Sequence, residues 1–282
     1  MIYVSTGGYK KLPAWKTSSD FIDYGILNIE LSGGLYDEEM LIKLKKLKSK
    51  AKFQIHNYFP PPKIPFVFNL ASLDKETLNL SMEHARKAIR WSVELERPVY
   101  SFHAGFLIDF KVKELGTTVK KRKINDHKKA RLSFIDNVNS LANYAAKQGV
   151  SLLIENNVLT EKTFKEFNCN PLLMADDKDY LTVMENTPDN VGLLIDVAHL
   201  KVSAQALKFD KIEFLNKSKL WVRGFHLSDN DGTKDSNEMI NDNAWFWPVV
   251  KKKLDYYSIE VYNVDYKTLN QQKIEVEKKI NE

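Results

Sequence analysis

Side chains that can bind metal or move protons close a series of short apolar runs. His56 ends IHN, His103 sits in FHAG and Glu155 in LIENN. Asp196 and His199 follow in LIDVAH, His226 in GFHLSD and Glu260 in SIEVYN. These include four of the six histidines in the chain. The other two, His84 and His127, fall in or beside helical stretches and take no role. Taken singly, each of the four reads as a hydrogen-bonded core histidine, and each carboxylate as a rim salt bridge. Brought together, the carboxylates would repel one another unless a cation or protons compensated them. Mixed imidazole and carboxylate donors suit zinc, manganese, cobalt or iron better than calcium. The expected chemistry is catalysis with one or two divalent ions, zinc or manganese first.

Elements must bring these groups together. Eight strands are predicted: Ile2–Ser5, Leu27–Leu31, Phe53–His56, Val99–His103, Leu152–Glu155, Gly192–Asp196, Val222–His226 and Ser258–Val261. Their nearly continuous apolarity fits strands buried on both faces. Helical periodicity follows each one, over about Trp15–Tyr24, Asp37–Lys50, Asp74–Leu95, Asp126–Lys147, Asn170–Glu185, Ser203–Leu215, Trp245–Leu254 and Lys267–Ile280. Asp74 is placed as an N-cap. The count and order specify an α/β fold, a single (β/α)8 TIM barrel over residues 1–282. A doubly wound sheet would need fewer strands and a Gly-rich phosphate loop, and STGGYK lacks that fingerprint. In a barrel the C-terminal strand ends share one mouth, so the ligand-type residues converge there.

Composition sets the bounds. The chain has 282 residues, 43% of them apolar, and a net charge of +5. That mild excess is compatible with an anionic partner, a sugar phosphate or nucleic acid, without choosing between them. The single cysteine, Cys169, excludes an internal disulfide framework and suits a reducing cytosol. No secretory signal pattern opens the chain, and no run nears the ~20 apolar residues of a membrane span. The expectation is a soluble cytoplasmic protein with no membrane partner, compatible with a homo-oligomer. A basic run, Lys120, Lys121, Arg122 and Lys123, reads either as a solvated loop or as an anion-binding lid.

IENN, IDVAHL, FHLSDNDG and IEVYN together resemble the xylose isomerase-like barrels, which include sugar isomerases and epimerases and the endonuclease IV type of abasic-site nucleases. In the epimerase branch the resemblance implies that Glu155, Asp196, His226 and Glu260 hold one metal. It also implies that Glu155 and Glu260 are the catalytic acid/base pair and that His199 touches substrate. The nuclease branch adds histidines after strands three and four, here His56 and His103, and a third zinc on the strand-six histidine and an Asp-x-His pair. FNLASLD is also similar to the nucleases. The matching pair here is Asp235 and Asn237, and an asparagine is a poor zinc ligand. The strand-two loop LSGGLYDEE lacks the arginine with which the nucleases probe DNA.

Candidate substrate contacts are His199, Glu30, Asn57 and Asp235. Glu30 reads equally as the partner of a substrate hydroxyl or of a lysine. Tyr3, Asn156 and Trp245 are placed near the mouth. The leading expectation is a metal-dependent isomerase or epimerase of a sugar or sugar phosphate, transferring a proton through an enediolate. The alternative is an endonuclease IV-like zinc phosphodiesterase on abasic-site DNA. A barrel that only binds a ligand would not need the complete Glu155–Asp196–His226–Glu260 set.

Overall fold

The apolar runs are rich in Ile, Val, Leu, Phe and Tyr, whose side chains pack well on a pleated surface covered on both faces. In the computed structural model, which describes residues 1–108, 111–114 and 121–282, these runs are eight parallel strands. They are β1 (Ile2–Ser5), β2 (Asn28–Leu31), β3 (Lys52–His56), β4 (Val99–His103), β5 (Ser151–Glu155), β6 (Val191–Asp196), β7 (Val222–Leu227) and β8 (Tyr256–Ile259). Each pairs with the next, and β8 pairs with β1 to close the barrel. The expected (β/α)8 architecture is what the chain adopts. Only β8 shifts appreciably, starting two residues before the expected Ser258.

Nine α-helices surround the barrel among the described residues: α1 (Ala14–Asp23), α2 (Met40–Leu47), α3 (Lys75–Glu94), α4 (His127–Ala146), α5 (Glu161–Phe167), α6 (Asp179–Glu185), α7 (Val197–Leu207), α8 (Lys211–Ser218) and α9 (Tyr266–Asn281). None is long and apolar enough to cross a membrane. The Asp74 carboxylate caps α3, accepting from the Thr77 amide at 2.8 Å as expected.

Three helical stretches differ from expectation. The segment after β6 is two helices, because Asp196 caps α7 directly and Lys208 turns left-handed at φ 59° to end it. The stretch from Asn170 yields only α6, while α5 lies earlier, capped by Thr160. Residues Trp245–Leu254 form turns, since Pro248 supplies no amide hydrogen to a helix. Of the basic run, Lys120 lies outside the described residues. Arg122 pairs with Glu114, and the Lys121 amide donates to Glu166 at 3.1 Å. Acidic groups of the chain itself therefore face this run.

Alternation along the strands fixes what points inward. Glu155 and Asp196 meet the other ligand-type residues, so Leu153 and Leu194, two positions back, also face the interior. With Tyr3 and Tyr256 they make a small buried cluster separate from the main core. That cluster is an apolar plug beneath the polar groups, while the main core lies between barrel and helices.

A partly buried contact joins two helices outside the barrel. Asp179 at the start of α6 meets Arg131 at 2.9 Å and His127 at 3.0 Å, both on α4. Burial raises the Asp179 pKa, but His127 and Arg131 outweigh it and hold it low. The Asp179 hydrogen bond raises that of His127. Asp179→Ala is expected to lower stability by about 1–3 kcal/mol in urea unfolding. The His127 share is present below pH 6.5 and lost as pH rises through its raised value. The Asp179 share is present above pH 3.8 and lost as pH falls through its lowered value. No change in Asp179→Ala would show that the contact contributes nothing.

Candidate metal centre

Strand register assembles the site. His103 lies beside Glu155, and Asp196 lies beside His226, as direct partners across neighbouring strands. Parallel strands place such partners at one height, so their side chains meet at the C-terminal mouth. Glu155 is the hub, with no exposed surface. Its Oε1 is 3.1 Å from His226 Nδ1, and its Oε2 is 3.2 Å from His56 Nε2 and 3.3 Å from His103 Nδ1. One carboxylate thus faces two groups of imidazoles with its two oxygens.

Among the described residues, three overlapping sets have donor atoms within 4.8 Å of one another: Glu155, Asp196, His226 and Glu260; His56, His103 and Glu155; and His56, His226 and Glu260. His226 Nδ1 is 3.5 Å from Glu260 Oε2 and 4.0 Å from Asp196 Oδ2. Asp196 Oδ2, Glu155 Oε2 and His103 Nδ1 are buried without a hydrogen-bond partner. Unpaired buried carboxylate oxygens are costly. A divalent cation bound by oxygen and nitrogen would satisfy all three, so these residues fit a metal ion.

The electrostatics of these side chains show the same tension. Burial raises Glu155, but His103, His226 and His56 outweigh it and hold it well below the usual carboxylate range. Burial also raises Glu260, and the His226 charge and hydrogen bond bring it down to about 2. Asp196 is pushed up to about 7, by burial first and then by Asp235, Glu155 and Glu260, against the pull of His199. Burial lowers His103 to about 4 despite Glu155.

Other expected residues fall in more varied places. His199 is buried, its Nδ1 is 3.0 Å from the Asn156 carbonyl, and its Nε2 faces Asp235 at 3.3 Å and Asp196 at 3.7 Å. Asp235 is held there by a loop whose ends, Asp229 and Glu238, exchange two backbone hydrogen bonds. Among the described residues, no metal-holding group contains His199 or Asp235. Asn237 lies on the same loop at φ 49°, and its carbonyl accepts from the Tyr262 amide. Asn57 stands just beyond β3 with its amide on the Ser101 carbonyl and its own carbonyl accepting from Tyr100.

Glu30 stands among the side chains of the centre itself. It is fully buried behind His226, and its Oε2 is 2.9 Å from His226 Nε2. Its partners are this imidazole and the Tyr256 hydroxyl and not a lysine, because the inward pleat of β2 aims Glu30 at them. Tyr3 points to the opposite end of the barrel, where its hydroxyl meets Met1. Asn156 is a structural bracket, bonding the Asp196 backbone through both amide atoms at 2.8 and 3.1 Å. Trp245 packs under Lys211, whose ammonium is 5.1 Å from its ring.

Sequence reasoning missed Tyr262, Tyr256 and Ser101. Tyr262 donates to Glu260 Oε1 at 3.0 Å, which orients that carboxylate. It lies two residues past Glu260, just beyond β8, within the same IEVYN motif that drew attention to Glu260.

Residues 23–271 match the family described as xylose isomerase-like TIM barrel. The chain belongs to that family. No curated protein matches its sequence. Among solved structures of this xylose isomerase-like fold, a D-tagatose 3-epimerase-like protein is similar at 17% identity and TM-score 0.73, covering 99% of this chain and 97% of that one. A D-allulose 3-epimerase from Methylomonas sp., solved with D-allulose, shares 13% identity at TM-score 0.69, with 98% and 96% coverage. The TTHB071 protein from Thermus thermophilus, soaked with ZnCl2, shares 17% at TM-score 0.61, with 98% of each chain covered.

Zinc at 100 times its dissociation constant is expected to raise the unfolding free energy by about 2.7 kcal/mol. Glu155→Gln should weaken zinc binding by more than about 100-fold, because losing even an outer partner weakens such sites by about 10–100-fold. Equilibrium dialysis measures both proteins, and equal binding would remove Glu155 from the centre.

Proposed function

We propose that this chain is a divalent-metal-dependent isomerase or epimerase of a sugar or sugar phosphate. The observation that carries the reading is the convergence of Glu155, at the end of β5, and Glu260, just past β8, on His226 Nδ1 at 3.1 and 3.5 Å. Two glutamates reach one point from different sides, with Asp196 beside them. Glu155, Asp196, His226 and Glu260 would hold one ion, and His56 and His103 with Glu155 a second; zinc or manganese fits these donors. A divalent ion supplies Lewis acidity that polarises neighbouring substrate oxygens and acidifies the carbon-bound proton between them.

The residues of the chain do the remainder. One glutamate removes the proton from carbon and the other returns it, to the opposite face in an epimerisation. Tyr262 holds Glu260 in line, through its bond to Oε1. His199 and Asp235 form the side of the mouth that would meet substrate hydroxyls, and Asn57 lies at the rim beyond β3. The apolar plug below keeps water from reaching the carboxylates from the far end. The fold-level relatives include structures described as a D-tagatose 3-epimerase-like protein, an L-ribulose 3-epimerase and a D-allulose 3-epimerase, which agrees with this reading.

A second reading, hydrolysis of abasic-site DNA, is favoured by the His56–His103–Glu155 set. Against it, Asn237 replaces a third-site ligand and the strand-two loop has no arginine. An oligonucleotide with one abasic site is expected to remain intact with the zinc-loaded protein; incision would favour the nuclease.

Glu260→Gln is expected to lower turnover by about 10²–10⁴-fold with an unchanged circular dichroism spectrum. The assay is incorporation of solvent deuterium into a panel of ketoses and their phosphates. Full exchange by Glu260→Gln would exclude Glu260 as acid or base.

A further inference from the structure

Beneath the candidate metal centre runs a continuous buried hydrogen-bond chain. His226 Nε2 is 2.9 Å from Glu30 Oε2, and the Tyr256 hydroxyl bonds the same oxygen. Tyr256 Oη is 3.1 Å from Ser101 Oγ, and Ser101 Oγ is 3.0 Å from His56 Nδ1. The chain thus begins at one candidate ligand and ends at another, from β7 through β2, β8 and β4 to β3.

Proton counting gives it a direction. An ionised carboxylate only accepts, so both His226 Nε2–H and Tyr256 O–H donate to Glu30. The one proton of Tyr256 is then spent, and its oxygen accepts from Ser101. The one proton of Ser101 goes to Tyr256 at 3.1 Å in preference to the Ile55 carbonyl at 3.4 Å, and on either acceptor it leaves the Ser101 oxygen to accept from His56 Nδ1–H. The outcome is one tautomer for each histidine. His226 keeps its lone pair on Nδ1, facing Glu155 and Glu260, and His56 keeps its lone pair on Nε2, facing Glu155.

The fold makes room for this path. Gly224 on β7 pairs with Tyr256, and a Cβ there would stand 2.8 Å from the tyrosine ring. Tyr3 packs edge-on against the same ring at 5.8 Å. Tyr256 is therefore held at the barrel axis, where it can reach Glu30 and Ser101 together.

We propose that Glu30, Tyr256 and Ser101 are positioning residues that set the tautomers of His226 and His56 as one unit, so that both halves of the metal centre are prepared together. This rests on the metal centre proposed above. It assigns Glu30 to the support of the centre.

The test uses the full chain with zinc alone. In the zinc-loaded protein, nitrogen-15 NMR of the histidine rings should find the proton of His226 on Nε2 and that of His56 on Nδ1. Glu30→Gln places an amide donor opposite Tyr256, which can reverse the chain and move the His56 proton to Nε2. Zinc affinity at the His56 set should then fall by about 10–100-fold, although Glu30 does not touch His56. In a Tyr256→Phe background, Glu30→Gln should leave the His56 tautomer unchanged. A His56 proton on Nε2 in the zinc-loaded wild type would overturn the relay, even if the variants failed to fold. So would Glu30→Gln and Ser101→Ala weakening zinc binding independently, with additive logarithms in the double variant. Absence of zinc uptake by the wild type would overturn the metal centre as well.

Discussion

Glu155 is a carboxylate with no exposed surface, surrounded by three imidazoles whose nitrogens lie 3.1–3.3 Å from its oxygens. Burying such a charge is costly unless neighbours compensate it. Asp196 and Glu260 are buried in the same space, so each added carboxylate raises the demand for positive charge. The histidines meet part of it. Glu155 Oε2 and Asp196 Oδ2, which accept no hydrogen bond, mark what they leave unmet. The rest of the molecule can be understood as the scaffold for this concentration of charge.

The closed barrel makes the concentration attainable. Direct pairing of His103 with Glu155 and of Asp196 with His226 allows little choice of where these side chains meet. Asp196 also caps α7 through the His199 amide at 2.7 Å, so the residue that joins the centre also starts the helix that positions His199. Below, Tyr3, Leu153, Leu194 and Tyr256 close the interior and keep the dielectric low, which strengthens every polar contact above them.

Much of this was legible in the sequence, for a definite reason. A histidine or carboxylate closing a run of Ile, Leu and Phe breaks the buried-strand pattern at the point where a barrel opens, so His56, His103, Glu155, Asp196, His226 and Glu260 announced themselves. Glu30 carried the same signal, but its depth was hidden. Whether a strand-end carboxylate faces substrate or a neighbouring imidazole depends on register and on the size of residues across the barrel, here Tyr256 beside Gly224. Tyr256 and Ser101 sit inside ordinary apolar stretches and look like core or turn residues. The split of the β6–β7 connection into α7 and α8 escaped because apolar periodicity runs through Phe209, while the break comes from the left-handed Lys208.

The central claim is that these buried carboxylates and imidazoles hold divalent metal for proton-transfer chemistry. Elemental analysis of metal-replete protein, after dialysis to remove loosely bound ions, tests it most directly. One or two equivalents of zinc or manganese per chain, removed by chelation, are expected. A chain that retains no divalent ion would contradict the metal centre, and one that retains three zincs would contradict the sugar chemistry in favour of the nuclease.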